Sequence, residues 1–283
     1  MNQANSASTL APGHRRVSLA NGQTMPWIGL GVFRSPPGQT TYDTVRKAIE
    51  IGYRHIDTAS IYQNESDVGR AIRDCGLPRH EIFLTSKLWN SEQGASSARR
   101  GFEHSLERLG LDYVDLYLLH WPVTRLRRES WQTLIEIYQS GRAKAIGVSN
   151  FMQHHLEDLQ DFPVQPLVNQ IEFSPFLYQK ELLEYCRDRH IQVQAYSPLT
   201  KGQRLQHPTI LQLAQKYKKS SAQILLRWSL DREVVVLPKS NNPQRLMENL
   251  DLFSFQFTPE DTQILSRLNE NLRTGWDPSH ELS

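Results

Sequence analysis

The sequence predicts an α/β protein, a (β/α)8 TIM barrel with an N-terminal β-hairpin, on three observations. Short apolar runs recur eight times along the chain, segments of helical period separate them, and most runs end in polar or turn residues. Near-continuous apolar strands alternating with helices make a parallel sheet with both faces covered, and eight such units close on themselves. At 283 residues the length suits one barrel. The expected organisation is a disordered tail over residues 1–14 and a single barrel domain over residues 15–283.

The leader, MNQANSASTLAPGH, is small and polar and lacks the apolar centre of a signal peptide. Residues 16–27 read as two extended segments around Asn21-Gly22, a pair that tolerates positive φ, and so as a hairpin that lids or plugs the barrel. The apolar runs follow at residues 27–31, 55–57, 82–87, 114–120, 145–150, 167–172, 191–196 and 234–239. Between them, residues 42–51 set Val45, Ala48 and Ile49 on one helical face before Gly52, and residues 96–109 do the same with Phe102, Leu106 and Leu109 before Gly110. A doubly wound open sheet is the competing architecture. Its phosphate loop would have to be Gly29-Leu30-Gly31, which lacks the third glycine and the helix start.

Lys plus Arg number 32 against 30 Asp plus Glu, and only Arg99-Arg100 and Arg127-Arg128 cluster, which argues against nucleic acid or an anionic membrane as partner. No apolar run reaches the ~20 residues of a membrane span. Cys75 and Cys186 have neither CxxC nor metal-ligand spacing, so a reducing, cytoplasmic setting is expected, with no metal. The adjacent His154-His155 reads as surface, since nothing nearby completes a metal site.

In barrels of this kind chemistry sits at the C-terminal ends of strands. Asp57, Lys87 and His120 end the second, third and fourth runs, and Tyr62 lies on the following loop before a helix that residues 64–66 would cap. Taken singly, Asp57 reads equally as a cap, Tyr62 more readily as packing and His120 as a structural histidine. Lys87 is harder to dismiss, because an ammonium at the end of a buried strand needs a partner. Together they suit reduction of a carbonyl: the oxygen that gains negative charge needs a proton donor, and a nearby ammonium favours the phenolate and strengthens tyrosine as an acid. An aspartate would hold that ammonium, and His120 would orient the substrate.

These segments, His55-Ile56-Asp57-Thr58-Ala59 with Tyr62, Thr85-Ser86-Lys87-Leu88-Trp89, residues 115–122, residues 146–151 and Leu237-Pro238-Lys239-Ser240, resemble the aldo-keto reductase family over about residues 17–277. The resemblance implies Tyr62 as general acid and base, Asp57 and Lys87 as its tuners, and NADPH as cofactor. It implies contacts to the nicotinamide from Ser149, Asn150 and Gln170, an aromatic platform from Tyr196 with Ser197 and Leu199 beside it, and a 2′-phosphate clamp from Lys239, Ser240 and Arg245. Glu248 and Asn249 would meet the adenine. Asn242-Pro243 is itself a strong helix start, so Arg245, Glu248 and Asn249 fall on one helical face. Phe33, Trp89 and Trp121, with Trp276 as a fourth wall, would line a pocket for a small-molecule carbonyl substrate, with the protein acting as a monomer.

Two loops, after His120 and after Tyr196, are short, which implies an open pocket and fast cofactor exchange and looks most like microbial reductases of diketo-sugar acids, methylglyoxal and other aldehydes. Ser174 stands where many relatives carry histidine, with no evident chemical use. The rivals are a barrel aldolase forming a Schiff base on Lys87 and an NADPH-binding redox-sensing subunit with slow turnover.

Overall fold

Residues 11–279 are described in a computed structural model. The antiparallel hairpin comes first, β1 (Arg16–Ser18) with β2 (Thr24–Pro26). Its turn is a residue longer than the Asn-Gly pair suggested: the Leu19 N–H donates to Gln23 O at 2.8 Å, and Gly22 alone takes a positive φ, +83°. Asn21 spends its side chain instead, accepting from Gln23 N at 3.1 Å and donating to Lys144 O at 3.0 Å. That second bond staples the hairpin to the barrel.

Eight parallel strands follow in chain order: β3 (Leu30–Gly31), β4 (His55–Asp57), β5 (Phe83–Leu88), β6 (Leu116–Leu119), β7 (Ile146–Ser149), β8 (Val168–Glu172), β9 (Gln192–Tyr196) and β10 (Val235–Val236). The barrel closes where the Gly29 N–H donates to Val236 O at 2.9 Å and the Val236 N–H donates to Trp27 O at 3.0 Å. A Cβ on Gly29 would lie 2.6 Å from the Leu237 side chain and 2.8 Å from the His55 ring. Gly29 therefore serves close approach at the seam, not a phosphate loop.

The outer layer is α1 (Gln39–Ile51), α2 (Glu65–Arg73), α3 (Ala95–Leu109), α4 (Arg127–Gln139), α5 (Gln153–Glu157), α6 (Lys180–Asp188), α7 (Pro208–Tyr217), α8 (Ser221–Leu230), α9 (Pro243–Leu250) and α10 (Pro259–Ser266). Val45, Ala48, Phe102, Leu106 and Trp131 face the outside of the strands in the main core. A second core fills the barrel floor: Phe83, Leu116, Leu118, Ala145, Val168 and Val235 meet Leu19 and Met25 of the hairpin. The hairpin is thus a plug at the N-terminal face, and burying Leu19 and Met25 contributes about 1.5–3 kcal/mol each. The opposite face is left for chemistry.

Most of the expected tail, residues 1–10, lies outside the described residues; Pro12–His14 form a 3-10 turn, and Gly13 packs so closely on Gly52 that a Cβ would meet its carbonyl. The expectation for His154-His155 needs correction. His155 is fully buried, accepts from Met152 N at 3.1 Å and packs edge-on against Phe151, because it closes the first turn of α5. Among the described residues no helix is long and apolar enough to cross a membrane, and no cluster of His, Cys, Asp and Glu could hold a metal ion.

His55 sits at the floor, fully buried, its Nε2 3.1 Å from Thr85 Oγ1, and burial pulls its pKa down to about 3. The unfolded chain binds a proton there near pH 6.5 while the folded protein does not, so stability is full above that pH and falls as pH drops toward 3. Between pH 6.5 and 5 this one group should cost about 2 kcal/mol. His55→Gln should remove that share of the acid loss in urea melts; an unchanged pH dependence would refute it.

Candidate active site

The C-terminal ends of β4 to β9 and the loop after β4 converge at one face. Lys87 ends the inner run of β5 with a wholly buried side chain, and its Nζ donates to Asp57 Oδ1 at 2.7 Å, to Thr58 O at 2.8 Å and to Tyr62 OH at 3.4 Å. An ammonium offers three protons, and all three are placed. Thr58 is an addition to the expected set, supplied by its backbone carbonyl.

Asp57 is held from its other side. Gln170 Nε2 donates to Asp57 Oδ2 at 2.8 Å and to Gln194 Oε1 at 2.9 Å, and Gln194 Nε2 points on to Met25 Sδ. Gln170 and Gln194 are register partners on β8 and β9, both buried inside the barrel. Sequence reasoning passed over Gln194. Its signal was the alternation of residues 192–196, which turns Gln194 to the same side as Gln192 and away from Val193 and Ala195.

Tyr62 closes a 3-10 turn (Ser60–Tyr62), and its ring lies 5.0 Å from Phe33 and 5.7 Å, edge-on, from His120. Asn64 stands at the helix N-cap as expected but does not cap. Its side chain is buried under the loop, accepting from Thr58 Oγ1 at 2.8 Å and donating to Val32 O at 3.0 Å, which braces the turn that carries Tyr62. Glu92 braces it too: one carboxylate oxygen accepts from Ser60 Oγ at 2.6 Å and from Trp89 N at 3.0 Å.

The electrostatics differ from the expectation for Tyr62. Burial, reinforced by the charge of Asp57, holds the phenol well above its usual pKa. The proton stays on the phenol at neutral pH. Burial also lowers Lys87, opposed by Asp57, and lowers His120 well below the ordinary histidine range, opposed by nothing and aided by Lys87. His120 is a neutral imidazole, with Nδ1 buried and without a hydrogen-bond partner among the described residues.

On the far rim, Ser149 Oγ donates to Gln170 O at 2.8 Å, and Asn150, at φ +64°, donates from Nδ2 to His120 O at 2.9 Å. Tyr196 OH donates to Asn150 Oδ1 at 2.7 Å. Ser197 and Leu199 are half-buried just beyond β9, where Thr200–Gly202 form a 3-10 turn. At α9 the Asn242 side chain accepts from Arg245 N, as a cap should, and Ser240 Oγ accepts from Asn242 N. Arg245 is exposed, Glu248 half-buried and Asn249 buried, so the three step inward along the helix. Lys239 is largely exposed, and partial burial lowers its pKa.

The mouth is aromatic: Trp89 lies 5.1 Å from His120 edge-on, and Trp276 lies 5.5 Å from Trp121 and 6.4 Å from Trp89. Ser174 acquires a use. Its Oγ accepts from Phe176 N at 3.2 Å, shaping a turn whose Phe176 carbonyl accepts from Glu270 N and Leu272 N of the C-terminal segment.

This geometry, a buried Lys–Asp pair under a protonated tyrosine beside a neutral histidine at the rim of an eight-stranded barrel, coincides with a sequence-profile match to the Aldo/keto reductase family over residues 27–270. The chain belongs to the aldo/keto reductase family. Among its relatives, a glyoxal reductase of Bacillus subtilis (strain 168) is 48% identical over 267 residues, covering 94% of this chain and 97% of that protein. Among solved structures, an aldo-keto reductase from a Medee basin deep-sea metagenome library aligns with a TM-score of 0.90 at 42% identity, over 93% of this chain and 98% of that one. A Bombyx mori aldo-keto reductase, solved in complex with NADP, aligns with a TM-score of 0.87 at 38% identity, over 92% and 94%. Membership of the family makes the chain an oxidoreductase.

The Asp57 contact can be tested through stability. Asp57→Asn leaves a buried ammonium without its counter-charge and should cost about 3–5 kcal/mol in urea unfolding at pH 7. The unfolded chain then binds more protons than the folded one over a wider range, so the loss should shrink as pH rises toward 10. A loss under about 1 kcal/mol, the scale of an exposed pair, would show the pair is not doing this job.

Proposed function

We propose that the protein reduces aldehydes and ketones to alcohols with NADPH, and that Tyr62 delivers the proton. The observation that carries the reading is the placement of the Tyr62 hydroxyl 3.4 Å from a Lys87 ammonium whose other two protons are fixed on Asp57 and Thr58. When bound, NADPH supplies the hydride.

The residues present fit that cofactor. The Asn242-capped helix start, preceded by Lys239 and Ser240 and followed by Arg245, offers two cations and a hydroxyl to a phosphate dianion. Gln170 has spent its amide protons on Asp57 and Gln194, and its Oε1 accepts no hydrogen bond among the described residues, which leaves an acceptor for a carboxamide N–H. Ser149 and Asn150 set the rim beside it, Tyr196 provides the flat ring, and Ser197 and Leu199 flank the strand end. Glu248 and Asn249 lie along α9 for the adenine.

The carbonyl oxygen takes its proton from the Tyr62 phenol. High pKa keeps that proton in place until negative charge forms, and the Lys87 ammonium then stabilises the phenolate left behind. Asp57 keeps Lys87 charged and pointed. His120, neutral, donates one N–H to the same oxygen and fixes the substrate's angle. Phe33, Trp89 and Trp121, with Trp276, wall the space around it. The short loops leave this pocket open to small aldehydes and diketones.

A Schiff-base aldolase is disfavoured, because Lys87 has no free proton or solvent-facing amine to offer. A sensing subunit is disfavoured by the completeness of the proton site. We further read residues 15–283 as one domain acting as a cytoplasmic monomer. Arg99 is paired with Glu136 and Arg128 with Asp161, and the few clustered cations favour no nucleic-acid partner.

NADPH oxidation against a panel of aldehydes, keto acids and diketones tests the reading. Tyr62→Phe should lower kcat about 10²–10⁴-fold. Retained turnover would overturn it. Since His120 stays neutral, kcat should be flat from pH 6 to 8; a limb in that window that vanishes in His120→Asn would transfer the proton to histidine. Arg245→Ala should weaken NADPH about 10–100-fold, the loss of a charge-assisted contact, and leave NADH unchanged. Equal loss for both nucleotides would remove the phosphate clamp.

A further inference from the structure

We propose that Glu172 sets substrate specificity as a positioning residue, by tethering the segment after α10 so that Trp276 stands as a wall of the site. The inference rests on the carbonyl-reductase reading for its substrate, but the tether itself is independent of it. Glu172 ends β8 at the C-terminal rim and is only 3% exposed. A buried carboxylate must have its oxygens bonded. Both are, and to the same stretch of chain: Oε1 accepts from the Thr274 N–H at 2.8 Å and from the Thr274 hydroxyl, and Oε2 accepts from the Gly275 N–H at 3.0 Å.

The residue that follows is Trp276. Its ring reaches Trp121 and Trp89, yet it is 61% exposed, so its own packing does little to fix it. Its place is set by the backbone that leads to it. That backbone is further braced by the Lys201 ammonium on Thr274 O and by Arg273 on Gln179 Oε1 at 3.2 Å, with Gln179 in turn donating to Glu172 O at 2.7 Å. Gly275 passes within reach of the Tyr196 hydroxyl, where a Cβ would lie at 3.5 Å, so the tether runs beside the rim residues named above.

Glu172 touches neither Tyr62 nor His120 in any of these contacts. Loosening it should leave the proton site intact and remove only the Trp276 face. A small carbonyl needs the proton site alone. A carbonyl with a flat apolar group gains from a third tryptophan beside Trp89 and Trp121.

Glu172→Gln tests this, because the amide keeps the shape but turns one acceptor into a donor facing an N–H. The amides of Thr274 and Gly275 should exchange at least about 10-fold faster by hydrogen-exchange mass spectrometry. KM for 2-naphthaldehyde should rise about 5–10-fold with kcat within about twofold, while both constants for propanal hold within about twofold. Trp276→Ala should reproduce the KM shift, and the double variant should add nothing to it. If Glu172→Gln does not fold, Thr274→Val, which loses one of the three bonds, and Trp276→Ala carry the same comparison. Unchanged exchange, a KM that rises equally for both aldehydes, or an unaffected 2-naphthaldehyde KM in Trp276→Ala overturns the proposal. Absence of NADPH oxidation with any carbonyl in the wild-type protein defeats the functional reading first; faster exchange in Glu172→Gln would still establish the tether.

Discussion

An ammonium with no solvent contact is a demanding tenant, and the rim of this barrel is arranged around the one on Lys87. Its three protons dictate three acceptors, and those come from three places: the end of β4, the backbone just past it, and the turn that carries Tyr62. Asp57 must in turn be oriented, which engages Gln170 and through it Gln194. Removing any one leaves a buried polar group unpaired, a larger penalty than the net worth of the bond that was made. The arrangement of Asp57, Thr58 and Tyr62 is therefore a consequence of satisfying Lys87.

The same constraint explains the division of labour between the two faces. The floor is sealed by apolar side chains from the hairpin and from the first residues of several strands, so the interior is dry beneath the pair. Dry surroundings raise Tyr62 and lower His120, making one a firm holder of its proton and the other an uncharged donor. Above, the walls are aromatic and the bracing is polar: Asn64 and Glu92 fix the Tyr62 turn, and Glu172 fixes the C-terminal segment.

What could be read from the sequence follows periodicity and strand ends. The eight runs and the helices stopped by Gly52 and Gly110 are local patterns, and Asp57, Lys87 and His120 lie at the polar ends of those runs with Tyr62 on the next loop, so the fold and the gathering of these four residues at one rim were legible together. What escaped depends on distance or on environment. Gln194 sits mid-strand and acquires its importance only from the register with Gln170. Glu172 and Thr274 are far apart in the chain, and no pattern links them. Asn64 and His155 have the right chemistry for a cap and for a surface pair, but burial redirects one and conceals the other. The pKa of Tyr62 was misjudged in direction because a sequence names neighbours and not the water that folding removes. Ser149, Asn150 and the α9 residues were found where strand ends and a helix start put them, and their duties toward a nucleotide remain proposals.

The hydrogen bonds from Lys87 through Asp57, Gln170 and Gln194 end on the sulfur of Met25, a residue of the plug. A polar column thus threads the barrel from its floor to its mouth, crossing a space that other designs would fill with aliphatic layers. Each group in the column takes its partner from the next, so a change at Met25 in the plug or at Asp57 on the rim leaves a buried amide short of one. The two faces of the barrel are therefore coupled through its axis.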